Sequence, residues 1–164
     1  MGIVYRCELG SQTSRDDHTI PWGYCDANYA EDSCDRKSTS GYSFMLANGP
    51  VTWKSKKQPL VALSTTEAEY YALGVACQEA VWVKQLCQEL YLDFGKLIHI
   101  YSDNTGAVAL SDNLVYHSRS KHIDIRWHYI RELIQQKTIH TMHIPGTENG
   151  ADFLTKALSC FEHE

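Results

Sequence analysis

The sequence lacks the features that usually place a chain at sight. No apolar run in its 164 residues approaches the roughly 18 needed to span a bilayer, and its start lacks a secretory pattern. No membrane association is expected. The six cysteines, Cys7, Cys25, Cys34, Cys77, Cys87 and Cys160, include no Cys-x-x-Cys pair, which excludes the common structural zinc frameworks. They are expected to be free thiols in a reducing compartment. There are only four prolines, no internal repeat and no low-complexity tract, so neither a solenoid nor a disordered chain is expected. Positive charge is also scarce. Fifteen Lys and Arg stand against 20 Asp and Glu, a net charge of −5, whereas nucleic-acid binders usually carry a basic footprint.

What is present suits one globular domain. Hydrophobic residues make up 43% and charged residues 21%, ordinary values. A chain of this length buries roughly 68–70% of its unfolded surface, enough to fold without disulfides or a structural metal. Residues 1–20 read as a linker or an extra strand from a preceding region, 21–160 as the domain, and 161–164 as a tail.

Trp22 to Ala27 alternates like a strand that ends in an acid, Asp26. Tyr42 to Leu46 reads as a second strand, and Asn48-Gly49-Pro50 as a turn. Val51-Thr52-Trp53, with its Lys-rich tail, reads as a third strand, completing an antiparallel meander. The period then changes. Ala68, Ala72, Val75, Ala76, Val83, Leu86 and Leu90 recur at helical spacing after the capping-box pattern Ser64-Thr65-Thr66-Glu67, predicting a helix over 65–91. Ile98 to Tyr101 is a fourth strand running into Asp103, and 105–110 a short helix. Ile123, Trp127, Ile130 and Ile134 mark another amphipathic helix. Thr138 to Ile144 is a fifth strand, and a last helix is expected over 150–158. The fold class is therefore α/β: a five-stranded mixed sheet flanked by helices in the order β-β-β-α-β-α-α-β-α.

Four acids occupy telling places. Asp26 and Asp103 end strands, Glu69 lies in the first turns of the long helix, and Asp152 opens the last one. Each alone reads as a turn acid, a cap or a partner for a helix dipole. Together they can converge on one edge of a mixed sheet. Two carboxylates about 4 Å apart repel by on the order of 4 kcal/mol at an effective dielectric near 20. Such a cluster needs protons or cations, and its hard oxygen donors suit Mg²⁺ or Mn²⁺. Glu67 is the capping-box partner of Ser64, so Glu69, on the apolar side of the helix, is assigned to the cluster.

Seven stretches carry a resemblance. They are Gly23 to Ala30, Asp35 to Tyr42, Trp53 to Gln58, Val61 to Tyr70, Tyr101 to Asn104, Lys121 to Arg126, and Ala151 to Lys156. In that order, from about Trp22 to Leu158, the chain resembles the ribonuclease H domain of copia-type LTR retrotransposon polyproteins. The resemblance implies a ribonuclease H-like fold and hydrolysis of the RNA strand of RNA:DNA hybrids. It implies catalytic and metal-ligating roles for Asp26, Glu69, Asp103 and Asp152 around two Mg²⁺, with Mn²⁺ able to substitute. Products with 5′-phosphate and 3′-hydroxyl ends would follow. It also implies a reverse transcriptase domain in the same polyprotein, preceding this region, and a cytoplasmic setting within virus-like particles. Cellular members of the wider superfamily place a mobile His in the loop before the last acid. Here that loop is short, 144–149, and His143 is an auxiliary candidate that reads first as a strand histidine.

Sequence-independent affinity for a hybrid comes from cations on phosphates and from polar groups at the 2′-hydroxyls. Lys54, Lys56 and Lys57 form one basic cluster. Arg119, Lys121 and Arg126, with Arg131 beyond, form a second. Asn28, Ser64, Thr65, Thr66 and Asn104 neighbour the acids and are candidate substrate contacts. Trp53 and Trp127 read first as core, with base stacking as the rival. If two divalent ions bind, the net charge rises from −5 to about −1, so nucleic-acid binding should depend on metal and on these local clusters. The rival readings are an inactive module of this fold that only supports hybrid binding by a reverse transcriptase, and a DNA-strand transferase of the same superfold.

Overall fold

The computed structural model describes residues 20–92, 97–112 and 121–156, with only the backbone of 121–124. The expected linker, the tail, Arg119, Cys7 and Cys160 lie outside the described residues.

Three strands form first: β1 (Trp22–Asn28), β2 (Thr39–Leu46) and β3 (Gly49–Lys57). They pair antiparallel, Asp26 opposite Gly41 and Gly41 opposite Ser55. The β2–β3 turn is tight because Ala47 and Asn48 both take positive φ, 50° and 62°. This is the backbone pattern that matches the twist of a hairpin. Helix α1 (Thr65–Glu89) crosses over to β4 (Ile98–Ser102), which lies beside β1 and parallel to it. Helices α2 (Thr105–Asp112) and α3 (Lys121–Gln135) lead to β5 (Ile139–His143), parallel to β4. The sheet order is β3-β2-β1-β4-β5.

Helix α1 starts where its capping box predicts. Ser64 caps it by accepting the Glu67 N–H at 3.1 Å, and the Glu67 carboxylate accepts the Leu63 N–H at 2.9 Å. Its apolar stripe, including Leu73, Ala76 and Val83, packs on Cys25 and Phe44 of the sheet. Ile98, Ile100, Trp127, Ile130 and Ile139 extend the same core. A second cluster consists of alanines alone: Ala27, Ala62, Ala68 and Ala72. Small side chains let the first turns of α1 lie close to the end of β1, which sets the spacing of the site. Farther along, Glu79 ties α1 to the sheet by accepting the hydroxyls of Tyr42 (2.7 Å) and Thr52 (2.6 Å).

Two expectations are corrected. The last helix, expected over 150–158, is a single 3-10 turn, Asp152–Leu154, within the described residues, preceded by another at Gly146–Glu148. Its bonds run from Leu154 N–H to Ala151 O and from Thr155 N–H to Asp152 O, with Lys156 N–H also reaching Asp152 O, while Asn149 and Thr155 tie the segment to β1 by long-range bonds. Trp127 is core, 3% exposed, but Trp53 is half-exposed on the edge strand β3. The described cysteines Cys25, Cys34, Cys77 and Cys87 are free, as expected.

Candidate metal centre

The carboxylates of Asp26, Glu69 and Asp103 converge, and each offers one oxygen within 4.8 Å of the others. Asp26 comes from β1, Glu69 from the first turns of α1, and Asp103 directly follows β4. The parallel pairing of β1 and β4 brings two strand ends to one edge, and the alanine cluster brings in the helix.

Asp26 is 1% exposed and Glu69 is 7% exposed, so two of the three acids are buried. Burial pushes the Glu69 carboxyl up to about 9. The nearby Asp26 and Asp103 push the same way, while the Ala27 N–H and Lys156 oppose them weakly. Burial also raises the Asp26 carboxyl, against the Thr155 hydroxyl and Lys156, which favour its charged form. Glu69 Oε2 is buried and has no hydrogen-bond partner. A buried unsatisfied carboxylate oxygen is costly unless something binds it. An all-oxygen donor set with one orphaned oxygen fits a hard divalent cation.

Asp152 stands apart from this trio. Its Oδ1 is paired with Lys156 Nζ, one turn on. The segment that carries both packs on the sheet at Gly41, where a Cβ would lie 2.8 Å from Leu154 Cβ and 2.8 Å from Thr155 Cγ2. Gly146 similarly lets the preceding loop approach Asp103, since a Cβ there would lie 3.1 Å from Oδ2.

The expected substrate contacts divide. Ser64 is the α1 cap and Thr65 the first helical residue, exposed at the same end. Thr66 and Asn104 meet beside Gly106, and Asn104 Oδ1 caps α2 by accepting the Ala107 N–H at 2.9 Å. Asn28 donates its amide to the Thr155 carbonyl at 3.3 Å. His143 ends β5 and is exposed. Lys57 is ion-paired with Asp32 and Asp35, which removes it from the free basic set. Lys54, Lys56 and Arg126 line a common cleft. Lys121 opens α3.

Three residues near the site were not anticipated: Asn149, Thr155 and Lys156. Asn149 donates to the Cys25 carbonyl at 3.0 Å and accepts the Ala151 N–H at 3.1 Å, locking the loop beside Asp26. Thr155 donates its hydroxyl to Asp26 Oδ2. Lys156 favours the charged forms of Asp26 and Glu69. The signal for the last two was their spacing: three and four residues after Asp152, one turn places them on its side of the segment.

A mixed sheet in this order, crossed by α1 and carrying acids at one edge, is the ribonuclease H fold. LC11-RNase H1, isolated from compost by a metagenomic approach, overlays with a TM-score of 0.62 at 15% identity, covering 84% of this chain and 93% of that one. The same protein in complex with RNA/DNA hybrid overlays with a TM-score of 0.57 at 17% identity, covering 82% of this chain and 93% of that one. No family model matches the chain. Curated relatives do. The retrovirus-related Pol polyprotein from transposon TNT 1-94 of Nicotiana tabacum is 45% identical over 136 residues, 83% of this chain and 10% of that protein. The corresponding polyprotein from transposon RE1 of Arabidopsis thaliana is 42% identical over 136 residues, 83% of this chain and 9% of that protein. The chain belongs to the retrovirus-related Pol polyproteins of copia-type transposons, and the part present here carries their ribonuclease H fold. It spans about 10% of the length of the relatives it matches.

Proposed function

We propose that this domain hydrolyses the RNA strand of RNA:DNA hybrids during retrotransposon reverse transcription, using divalent cations held by its acids. The observation that carries the reading is the converging trio Asp26, Glu69 and Asp103, the first two buried, with its orphaned Glu69 oxygen. The hybrid named for the LC11 complex and the polyprotein names of the relatives support the substrate and the partner, a reverse transcriptase domain of the same chain. A cytoplasmic setting in virus-like particles belongs to the same proposal.

Asp26, Glu69 and Asp103 would hold the cations, Mg²⁺ or Mn²⁺, with Asp152 joining if Lys156 releases it. Bound there, two such ions polarise water and a phosphoryl oxygen for in-line hydrolysis. The chain's own groups prepare the site. Thr155 fixes one Asp26 oxygen and leaves the other for a ligand. The Ala27 N–H orients Glu69. Asn149 and Gly41 hold the last segment, which carries Asp152 and Thr155, against the sheet.

The pairing of Asp152 with Lys156 favours one rival, a module that binds hybrid without cutting it, because it withdraws the fourth acid. The test is incubation of the full chain with labelled RNA:DNA hybrid, double-stranded RNA and double-stranded DNA, with Mg²⁺, Mn²⁺ or EDTA. Cleavage of the hybrid's RNA alone is expected, abolished by EDTA and by Asp26→Asn or Glu69→Gln. Hybrid that is bound but intact would establish the rival, and metal-independent cleavage would overturn both.

A further inference from the structure

The face of the sheet turned away from the helices carries chemistry that the acid centre does not use. Ile98 and Ile100 of β4 and Ile139 of β5 belong to the core shared with α1, and Thr141 of β5 meets Ser111 of α2 at 2.7 Å. Strand alternation therefore sends His99 and His140 to the opposite face. The two are register partners on neighbouring parallel strands. Their ring centroids lie 5.6 Å apart, with the planes inclined at 74°.

Two features mark the pair as a ligand set rather than packing. His99 is half-buried, and its Nδ1 is buried with no hydrogen-bond partner among the described residues. A buried ring nitrogen without a partner is costly unless something binds it. His140 is exposed, so solvent leaves its ring room to turn. Burial, and His140 beside it, lower the affinity of His99 for a proton. Near neutral pH the ring is therefore in the uncharged form that ligates metals.

The donor set selects the metal. Imidazole suits Zn²⁺, Ni²⁺ and Cu²⁺, whereas carboxylates suit Mg²⁺ and Mn²⁺. Metal–nitrogen bonds of about 2.0–2.1 Å place two ligating nitrogens about 3–4 Å apart, which these rings reach by rotation of His140. The neighbours on the same face, Trp22 in register with His99 and then Tyr101 in register with Met142, bring no charge that would attract a hard cation or repel a borderline one. His99 stands four residues before Asp103, roughly 13 Å of extended chain, so the acids and the imidazoles hold separate ions.

We propose that His99 and His140 form a two-imidazole site for a borderline divalent metal, Zn²⁺, Ni²⁺ or Cu²⁺, with water completing its coordination. The ion clips β4 to the edge strand β5, and because it binds the folded chain it stabilises that state. The site depends on neither the nuclease reading nor the acid trio.

The test is calorimetric titration of the full chain with Ni²⁺, alongside melting curves with and without the ion. His140→Gln and, separately, His99→Gln should weaken Ni²⁺ binding at least about tenfold, an effect that even the outer partner of a ligand can have. The rise in melting temperature that Ni²⁺ gives the parent should shrink in both. Glu69→Gln should retain the Ni²⁺ affinity that the histidine variants lose. Cu²⁺ on the parent should show two imidazole nitrogens by electron paramagnetic resonance, and only one on His140→Gln. Because His140 is exposed, its variant should fold, which melting without metal checks. A parent that binds no Ni²⁺ would overturn the proposal. So would binding that survives His140→Gln unchanged, or binding that is lost with Glu69 instead.

Discussion

Thr155 donates its hydroxyl to Asp26 Oδ2 across 129 residues of sequence, closing the last segment onto the end of β1. The bond does two things. It satisfies one oxygen of a carboxylate that is almost wholly buried, and it orients the other. Thr155→Val keeps the shape and removes the donor. Removing a buried hydrogen bond to a charged group costs about 1.5–3 kcal/mol, so the midpoint of urea unfolding should fall accordingly. Divalent-cation affinity, measured by calorimetry, should weaken, and Thr155→Ser should restore both. Unchanged stability and affinity in Thr155→Val would show that the hydroxyl does not position Asp26.

Glu69 makes a pH prediction with a definite sign. Its carboxyl is held up at about 9, against an ordinary value of 4.5. A group raised in the folded state binds its proton more tightly there than in the unfolded chain. Its contribution to stability is full below pH 4.5 and is lost progressively as pH rises toward 9. Without divalent cations, the melting temperature should fall between about pH 5.5 and 8.5, and Glu69→Gln should flatten that fall. Because a ligating carboxylate must lose its proton, Mg²⁺ or Mn²⁺ should bind more tightly as pH rises over the same range. Metal affinity independent of pH would show that Glu69 is not a ligand.

Much of this was legible in the sequence, for physical reasons that name the exceptions. Ser64 and Glu67 form a capping box, which is local chemistry, and so fixed both the start of α1 and the choice of Glu69 over Glu67. Asp26 lies two residues before the end of β1 and Asp103 directly follows β4, close to where the sequence pattern put both strand ends, so the sheet edge was readable. The last segment was not, because its conformation is decided by long-range bonds. Asn149 reaches back to Cys25, and Thr155 to Asp26, contacts that no local pattern in the sequence announces. The fate of Lys57 was equally nonlocal, since its partners Asp32 and Asp35 belong to the loop before β2. So was the union of Lys54 and Lys56 with Arg126, which requires knowing that α3 lies against α1.

Gly41 should prove more sensitive than an ordinary strand glycine. A methyl group there would sit 2.8 Å from two atoms of the segment that carries Asp152 and Thr155. Overpacking of this kind typically costs about 1–3 kcal/mol. The segment can yield more easily than the sheet, so Gly41→Ala should disturb the site more than the fold. Hybrid cleavage should fall at least about tenfold, matching the loss of about 1.4 kcal/mol that a misplaced group entails. Circular dichroism should remain that of the parent. Full activity in Gly41→Ala would mean that the segment need not press on β2.

Lys156 gives a prediction opposite in sign to that of every acid at the site. Its ammonium pairs with Asp152 and also favours the charged forms of Asp26 and Glu69, so it acts as a resident counter-ion. A resident cation stabilises the acids when no metal is present and repels a metal that arrives. Lys156→Gln removes one positive charge and frees Asp152. Without divalent cations the variant should melt at a lower temperature than the parent. With them it should bind Mn²⁺ more tightly, whereas Asp26→Asn or Glu69→Gln should bind it more weakly. The two effects must appear together. A Lys156→Gln chain that is less stable yet no better at binding Mn²⁺ would show that the lysine braces the segment sterically, and that its charge is not what balances the four acids.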